Sequence, residues 1–155
     1  MSQFVGDFEA KTDAKGRIVV PAAFKREFEA QQVASLIVSK DLYEKCLCVY
    51  TEMQWTQIIS DLRSRLNLYD RQHVQLLREY QRYTAQVDID SVGRILIPRR
   101  LLSLVGECKV VTLLGVGTHI ELWDADNYAS AAMEPQDLAR LAQSILGSDV
   151  DCSSF

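Results

Sequence analysis

The sequence predicts an α+β protein in which two pseudo-symmetric β units form one shared β-rich core flanked by helices. Three observations carry that prediction. The stretch Asp13-Ala14-Lys15-Gly16-Arg17-Ile18-Val19-Val20-Pro21 returns 77 residues later as Asp90-Ser91-Val92-Gly93-Arg94-Ile95-Leu96-Ile97-Pro98, with Asp, Gly, Arg, Ile and Pro at the same positions. Short apolar runs surround each copy as strands do, and a stripe at helical spacing separates the copies. Two copies of one short unit imply a duplicated domain with pseudo-two-fold symmetry.

Phe4 to Thr12 alternates, with Phe4, Gly6, Phe8 and Ala10 on one face, and reads as a half-buried strand. In the motif, Gly16 stands where a turn needs positive φ, and the β-branched run after Arg17 is a short strand stopped by Pro21. That proline opens a helix on which Phe24 and Phe28 share a buried face. Leu36-Ile37-Val38 and Cys46-Leu47-Cys48-Val49-Tyr50 complete the first half as strands. Thr51-x-x-Gln54 reads as a capping box for a long helix whose stripe Trp55, Ile58, Ile59, Leu62, Leu66 and Tyr69 packs on the core. Asp70 caps a further helix carrying Val74, Leu77 and Tyr80.

The second half repeats the plan. Ala85 to Ile89 matches the first strand, Gly93 takes the turn, and Pro98 opens a shorter helix, Arg99 to Leu104, broken near Gly106. The last strands are Lys109–Leu114 and Thr118–Trp123, with Gly115-Val116-Gly117 as a flexible turn between them. Setting Tyr50 opposite Trp123 changes the repeat offset from 77 to 73, so the second half has lost four residues between motif and final strand. Asp124 caps a short helix through Tyr128. Pro135 starts another, with Leu138, Leu141, Ala142 and Ile145 on one face and Gly147 as its stop, before a polar tail that is expected to fray. The expected division is 1–51 (first unit), 52–83 (connecting helices), 84–127 (second unit) and 128–155 (helix and tail).

In each copy an aspartate and an arginine stand four residues apart across a tight turn, where they can meet. A carboxylate that holds one edge of a guanidinium leaves its other N–H donors facing out, which suits phosphate or guanine recognition. Asp–Arg as a structural clamp closing the turn explains the same residues equally well.

The pattern D-x-x-G-R-I-x-x-P resembles the signature of the SpoVT/AbrB swapped-hairpin DNA-binding domains. Two copies in one chain, with Phe4-x-Gly6 before the first, Ala23-Phe24-Lys25-Arg26 after it and Ile120-Glu121-Leu122-Trp123 closing the second half, resemble the MraZ family of bacterial regulators. The resemblance covers roughly residues 1 to 145. It implies two swapped-hairpin units and a regulator that binds direct repeats of double-stranded DNA in the promoter of its own division and cell-wall operon, as a ring-like homo-oligomer. Lys15 and Arg17 are then the leading DNA contacts, with Arg94 next and Lys11, Lys25 and Arg26 as supplementary phosphate contacts. Asp13 and Asp90 orient the arginines, and Gly16 and Gly93 shape the turns. Val92 stands where the first copy has Lys15, which makes the second loop less basic.

Composition is that of an ordinary globular protein: 155 residues, 48% hydrophobic and 25% charged. The net charge of -4 argues against DNA binding by bulk electrostatics. Basic residues gather between Lys11 and Arg26, and again at Arg94, Arg99 and Arg100, so an acidic body with basic loops fits a multivalent binder. No apolar run or charged-then-apolar leader points to a membrane or to export, and a cytoplasmic, nucleoid-associated protein is expected. Cys46, Cys48, Cys108 and Cys152 form no zinc spacing and no C-x-x-C pair, and Cys46 and Cys48 read as buried thiols. No phosphate-binding loop or nucleophile elbow occurs, His73 and His119 read as solvated or packed, and Gly115-x-Gly117 lacks the rest of a dinucleotide fingerprint. Neither enzyme activity, cofactor, metal nor small-molecule substrate is expected. The rival reading is a protein–protein module with structural Asp–Arg clamps, and a single-unit antitoxin of the AbrB type fits less well because it carries one copy.

Overall fold

The computed structural model describes residues 3–106 and 109–147. Cys108, Cys152 and the expected tail with Phe155 lie outside the described residues. Met1–Ala125 forms one compact unit and Asp126–Phe155 a second.

Among the described residues the first unit carries eight strands. They are β1 (Phe4–Lys11), β2 (Arg17–Val19), β3 (Ser35–Lys40), β4 (Leu47–Thr51), β5 (Thr84–Asp88), β6 (Arg94–Leu96), β7 (Val110–Gly117) and β8 (Ile120–Asp124). Six form an antiparallel sheet in the order β1-β7-β8-β4-β3-β5, and β2 pairs with β6 as a separate ribbon. Each strand of the first half has a counterpart in the second, and exchanging the halves reverses the order without changing it. This is a pseudo-two-fold arrangement in which β1 pairs with β7 and β5 with β3, so each half lends its first strand to the other.

The register locates the axis. In the ribbon Ile18 faces Ile95, its own repeat counterpart, and in the sheet Cys48 faces Glu121 while Leu47–Leu122 and Val49–Ile120 exchange places across it. Ser35 pairs with Asp88 as Val110 pairs with Lys11, so β7 follows β3 by 75 residues. The four missing residues were therefore lost in two steps, two before β7 and two in the hairpin after it.

One face of the sheet meets the ribbon, α1 (Ala22–Ala30) and α4 (Arg99–Leu102), and the main core lies between them. Phe24 and Phe28 of α1 are buried there and touch Phe4, with ring centroids 5.8 and 5.2 Å away. Burial of these rings adds to that of the aliphatic residues that make up most of the core. The opposite face carries a smaller cluster of Ile37, Cys48 and Tyr50 under Trp55 and Ile58 of α2 (Glu52–Ser64). Trp55 packs between Tyr50 and Tyr80, the latter on α3 (Arg71–Arg82). The capping box is formed: Gln54 N–H donates to Thr51 Oγ1, and the Gln54 side chain accepts from Thr51 N–H, both at 3.2 Å. Asp70 caps α3 through Gln72 N–H at 2.9 Å.

Three expectations change. The α2 stripe is half-buried on this second cluster rather than in the main core, and Tyr69 is fully exposed because α2 ends at Ser64. The helix after Pro98 keeps α geometry only to Leu102 and closes through tight turns at Leu104 and Val105. Gly115-Val116-Gly117 is not a turn: β7 runs through it, and Gly115 pairs with Gly6 on one side and Ile120 on the other. A side chain at Gly115 has no room, because a Cβ there would lie 2.4 Å from the Phe4 carbonyl carbon. Turn chemistry belongs to Gly117, at φ +89°, next to Thr118 and His119.

The second unit contains α6 (Pro135–Leu146), with proline in its first turn as expected. Its Leu138, Leu141 and Ile145 are exposed, whereas Ala142 is half-buried. α5 (Ala125–Ser130) begins at the boundary between the units and runs two residues past Tyr128.

The two glycines make separable predictions. Gly115→Ala is expected to lower unfolding free energy by about 3 kcal/mol through backbone overlap. Gly117→Ala, which meets only the penalty of positive φ, is expected to lose about 1 kcal/mol. Urea denaturation of both variants decides, and equal losses would contradict the close approach of β1 to β7.

Candidate nucleic-acid interface

Both repeated motifs fold into the same turn, and the sequence dictates why. Asp13 N–H donates to the Arg17 carbonyl at 3.0 Å, and Gly16 N–H returns to the Asp13 carbonyl at 3.0 Å. The Asp13 carboxylate then ties the loop: Oδ1 accepts from Lys15 N–H and Arg17 N–H, each at 2.9 Å, and Oδ2 accepts from Arg17 Nε at 2.7 Å. Asp90 repeats every bond. Its Oδ1 accepts from Val92 N–H at 3.0 Å and Arg94 N–H at 2.8 Å, and its Oδ2 from Arg94 Nε at 2.9 Å. Gly16 and Gly93 sit at φ +88° and +81°, where only glycine is unstrained.

The carboxylate therefore does both jobs that the sequence left open. It clamps the backbone, and it fixes the guanidinium through Nε alone. The two terminal nitrogens of Arg17 and Arg94, on half-exposed side chains, bond to no described residue. A guanidinium held this way presents a paired donor edge of the shape that meets phosphate or the guanine edge bidentately.

Charge follows the geometry. The Arg17 backbone N–H is the chief cause that holds the Asp13 carboxyl down at about 2, with the guanidinium and Lys15 N–H acting in the same direction against partial burial. Arg94 N–H likewise lowers Asp90.

The fold regroups the basic residues. Lys11, at the end of β1, and Lys15 line one concavity of about 860 Å³ with Asp13 and Gly16, and Arg99 and Lys109 come to it from the second half. Lys25 leaves the first cluster: its side chain lies over Gly93, where an added Cβ would meet it at 3.2 Å, so it accompanies the second turn. Arg26 is exposed on α1. Arg100 is occupied elsewhere, donating to the carbonyls of Arg82 at 2.7 Å and Thr84 at 3.2 Å. The sequence grouping of Arg94, Arg99 and Arg100 is thus dispersed. Arg99 and Lys109 were missed as neighbours of the first turn, and only the crossed pairing of the halves reveals them.

The histidines lie apart from these turns. His73 Nδ1 accepts from Asn67 N–H at 2.9 Å, and the His119 ring stacks on Tyr50 at 4.8 Å. No helix among the described residues is long and apolar enough to cross a membrane.

Residues 3–79 and 82–143 match the family model described as "MraZ protein, putative antitoxin-like". The chain belongs to the MraZ family. Relatives named Transcriptional regulator MraZ include that of Bacteroides fragilis, 35% identical over 94% of this chain and 92% of its own. That of Phocaeicola vulgatus is 33% identical over 95% and 96%, and that of Coxiella burnetii 36% identical over 77% and 78%. Both duplicated turns of this MraZ-family chain fall inside the matched residues.

A pH titration tests the turn. A carboxyl lowered below its ordinary 3.8 on folding gives stability that is complete above that pH and is lost as pH falls through about 2. The side-chain carboxyl carbon of Asp13 is expected to titrate in NMR spectra near 2 in the folded protein. A midpoint at or above 3.8 would mean that the turn does not hold the charge.

Proposed function

We propose that this protein is a sequence-specific, DNA-binding transcriptional regulator that engages direct repeats in the promoter of its own division and cell-wall operon as a multivalent homo-oligomer. The observation that carries the proposal is the pair of turns with the same hydrogen bonds, each with an arginine fixed through Nε and its terminal donors bonded to no other described residue. The relatives named as transcriptional regulators support the same reading.

In this proposal Arg17 reads DNA, with Lys15 beside it on phosphate, and Lys11 and Arg26 add phosphate contacts. Arg94 acts from the second turn, where Lys25 takes the place that Val92 leaves without charge. Asp13 and Asp90 orient rather than touch DNA, since a carboxylate repels phosphate. An acidic chain gains affinity by presenting several copies to several repeats, because each further contact then forms at high effective concentration. The exposed leucines of α6 are a surface through which copies can associate.

A second reading keeps one observation on its side: Asp13 and Asp90 spend most of their hydrogen bonds on backbone N–H groups, as a purely structural clamp would. Fluorescence anisotropy on the upstream DNA and on scrambled DNA, across a salt series, separates the two. Lys15→Ala is expected to weaken binding to both DNAs and reduce the salt slope by about one. Arg17→Ala is expected to cost about 1–3 kcal/mol of discrimination between them. Equal, weak binding of both DNAs by well-folded wild-type protein would sink the regulator proposal, and the clamp reading would stand.

A further inference from the structure

We propose that Asp41, Cys46, Cys48 and Glu121 form a binding site for a thiolate-preferring divalent cation, with zinc the occupant that the donor set fits. The site is independent of the DNA-binding turns. Cys46 immediately precedes β4 and Cys48 lies within it, two residues apart, so both thiols share the face of the sheet opposite the main core. Asp41 comes from the loop between β3 and β4, and Glu121 from β8, directly opposite Cys48. One donor atom from each of the four residues lies within 4.8 Å of all the others.

Those distances are close to what zinc requires. Tetrahedral coordination with sulfur at about 2.3 Å and oxygen at about 2.0–2.2 Å puts the donors roughly 3.3–3.8 Å apart. The residues need to contract by about 1 Å, within the reach of side-chain rotation. Cys46 and Cys48 are 0% and 1% exposed, while both carboxylates are half-buried, so the sulfurs form the floor of the site and the oxygens its rim.

Charge makes the same point. Two carboxylates converge on two thiols, yet neither Asp41 nor Glu121 forms an ion pair with any described residue. The neighbouring Lys40 ammonium donates to the backbone carbonyls of Asp41, at 2.7 Å, and Glu44 rather than to either carboxylate. A divalent cation among these donors would be attracted by both carboxylates and by the thiolates it stabilises.

The carboxylates are already held in place. Asp41 Oδ2 accepts from Tyr43 N–H at 3.0 Å and Glu44 N–H at 2.8 Å, with Oδ1 3.6 Å from Cys48 Sγ. Glu121 Oε1 accepts from Trp123 Nε1 at 3.0 Å. Such outer bonds orient metal ligands. Two sulfur and two oxygen donors suit zinc, whereas magnesium and calcium take six or more oxygens and copper(I) prefers sulfur alone. A bound ion would join β4 to β8 at the pair lying on the pseudo-two-fold axis of the sheet.

The test uses the full chain, reduced and stripped of metal, with cobalt(II) as the spectroscopic probe. Expected are one cobalt per chain, thiolate-to-cobalt charge-transfer absorption with intense tetrahedral d–d bands, and loss of both on adding zinc. Glu121→Gln should weaken cobalt binding about tenfold or more. Cys48→Ser should reduce the charge-transfer absorption per bound cobalt. The wild-type titration needs no variant, so it can overturn the proposal even if either variant misfolds. Absence of charge transfer in reduced wild-type protein overturns the proposal, as does an unchanged cobalt spectrum and affinity in both folded variants, which would place the thiolate ligands at Cys108 or Cys152.

Discussion

The antiparallel pairing of the two short motif strands around Ile18 and Ile95 is the constraint on which the remainder depends. Beyond the ribbon proper, Val20 N–H donates to the Gly93 carbonyl at 2.9 Å and Ile97 N–H to the Gly16 carbonyl at 3.0 Å. Each turn therefore has its glycine carbonyl satisfied by the other copy. Ile18, Val20, Ile95 and Ile97 are buried, so one motif alone would leave apolar surface in water and buried polar groups without partners. Duplication within one chain supplies both partners at once. Gly16 is doubly required, since its φ is positive and an added Cβ would lie 2.9 Å from the Ile97 carbonyl oxygen.

On this symmetric backbone the side chains have diverged. Repeat counterparts set Lys11 against Asp88, Lys15 against Val92, and Arg99 against Ala22. Lys109, whose carbonyl accepts from Thr12 N–H, corresponds to Ala34, whose carbonyl accepts from Ile89 N–H. Four cations thus line the concavity at the first turn, while their counterparts at the second are acidic or apolar. Lys25, whose counterpart is Leu102, is the second turn's own addition. A concentrated positive patch on an acidic body gives a locally attractive field without making the whole surface adhesive to nucleic acid. The proposed function uses that contrast: specificity comes from the fixed guanidinium, and affinity comes from repetition.

What the sequence made legible was local. The nonapeptide repeat announced the turn, its glycine, the Asp–Arg contact and the strand that follows, because all of these are decided within nine residues. The caps at Thr51 and Asp70 and the Phe24–Phe28 face were legible for the same reason. What escaped was decided by long-range pairing. Lys25 follows Arg17 closely in sequence but lies over Gly93, and Arg99 and Lys109 cross to the first turn. Gly115 misled because glycine has two uses. Next to Gly117 it resembles a turn, but its role is to let the backbone of Phe4 approach, which no local pattern records.

The cysteines show the same boundary from the other side. Cys46-Leu47-Cys48 correctly read as buried thiols on an alternating strand, and their spacing contains no metal pattern. The two carboxylates beside them come from a loop five residues upstream of Cys46 and from a strand more than seventy residues downstream. Cys48 and Glu121 meet because they are the central pair where β4 crosses into register with β8. The pseudo-two-fold relation would place like residues at such a position, as it does with Ile18 and Ile95. Here it pairs a thiol with a carboxylate, two groups that gain little from each other but can both bind a cation. The duplicated frame thus carries its chemical asymmetry on both faces of the sheet: cations gathered at one turn, and acidic and thiol donors gathered at the axis.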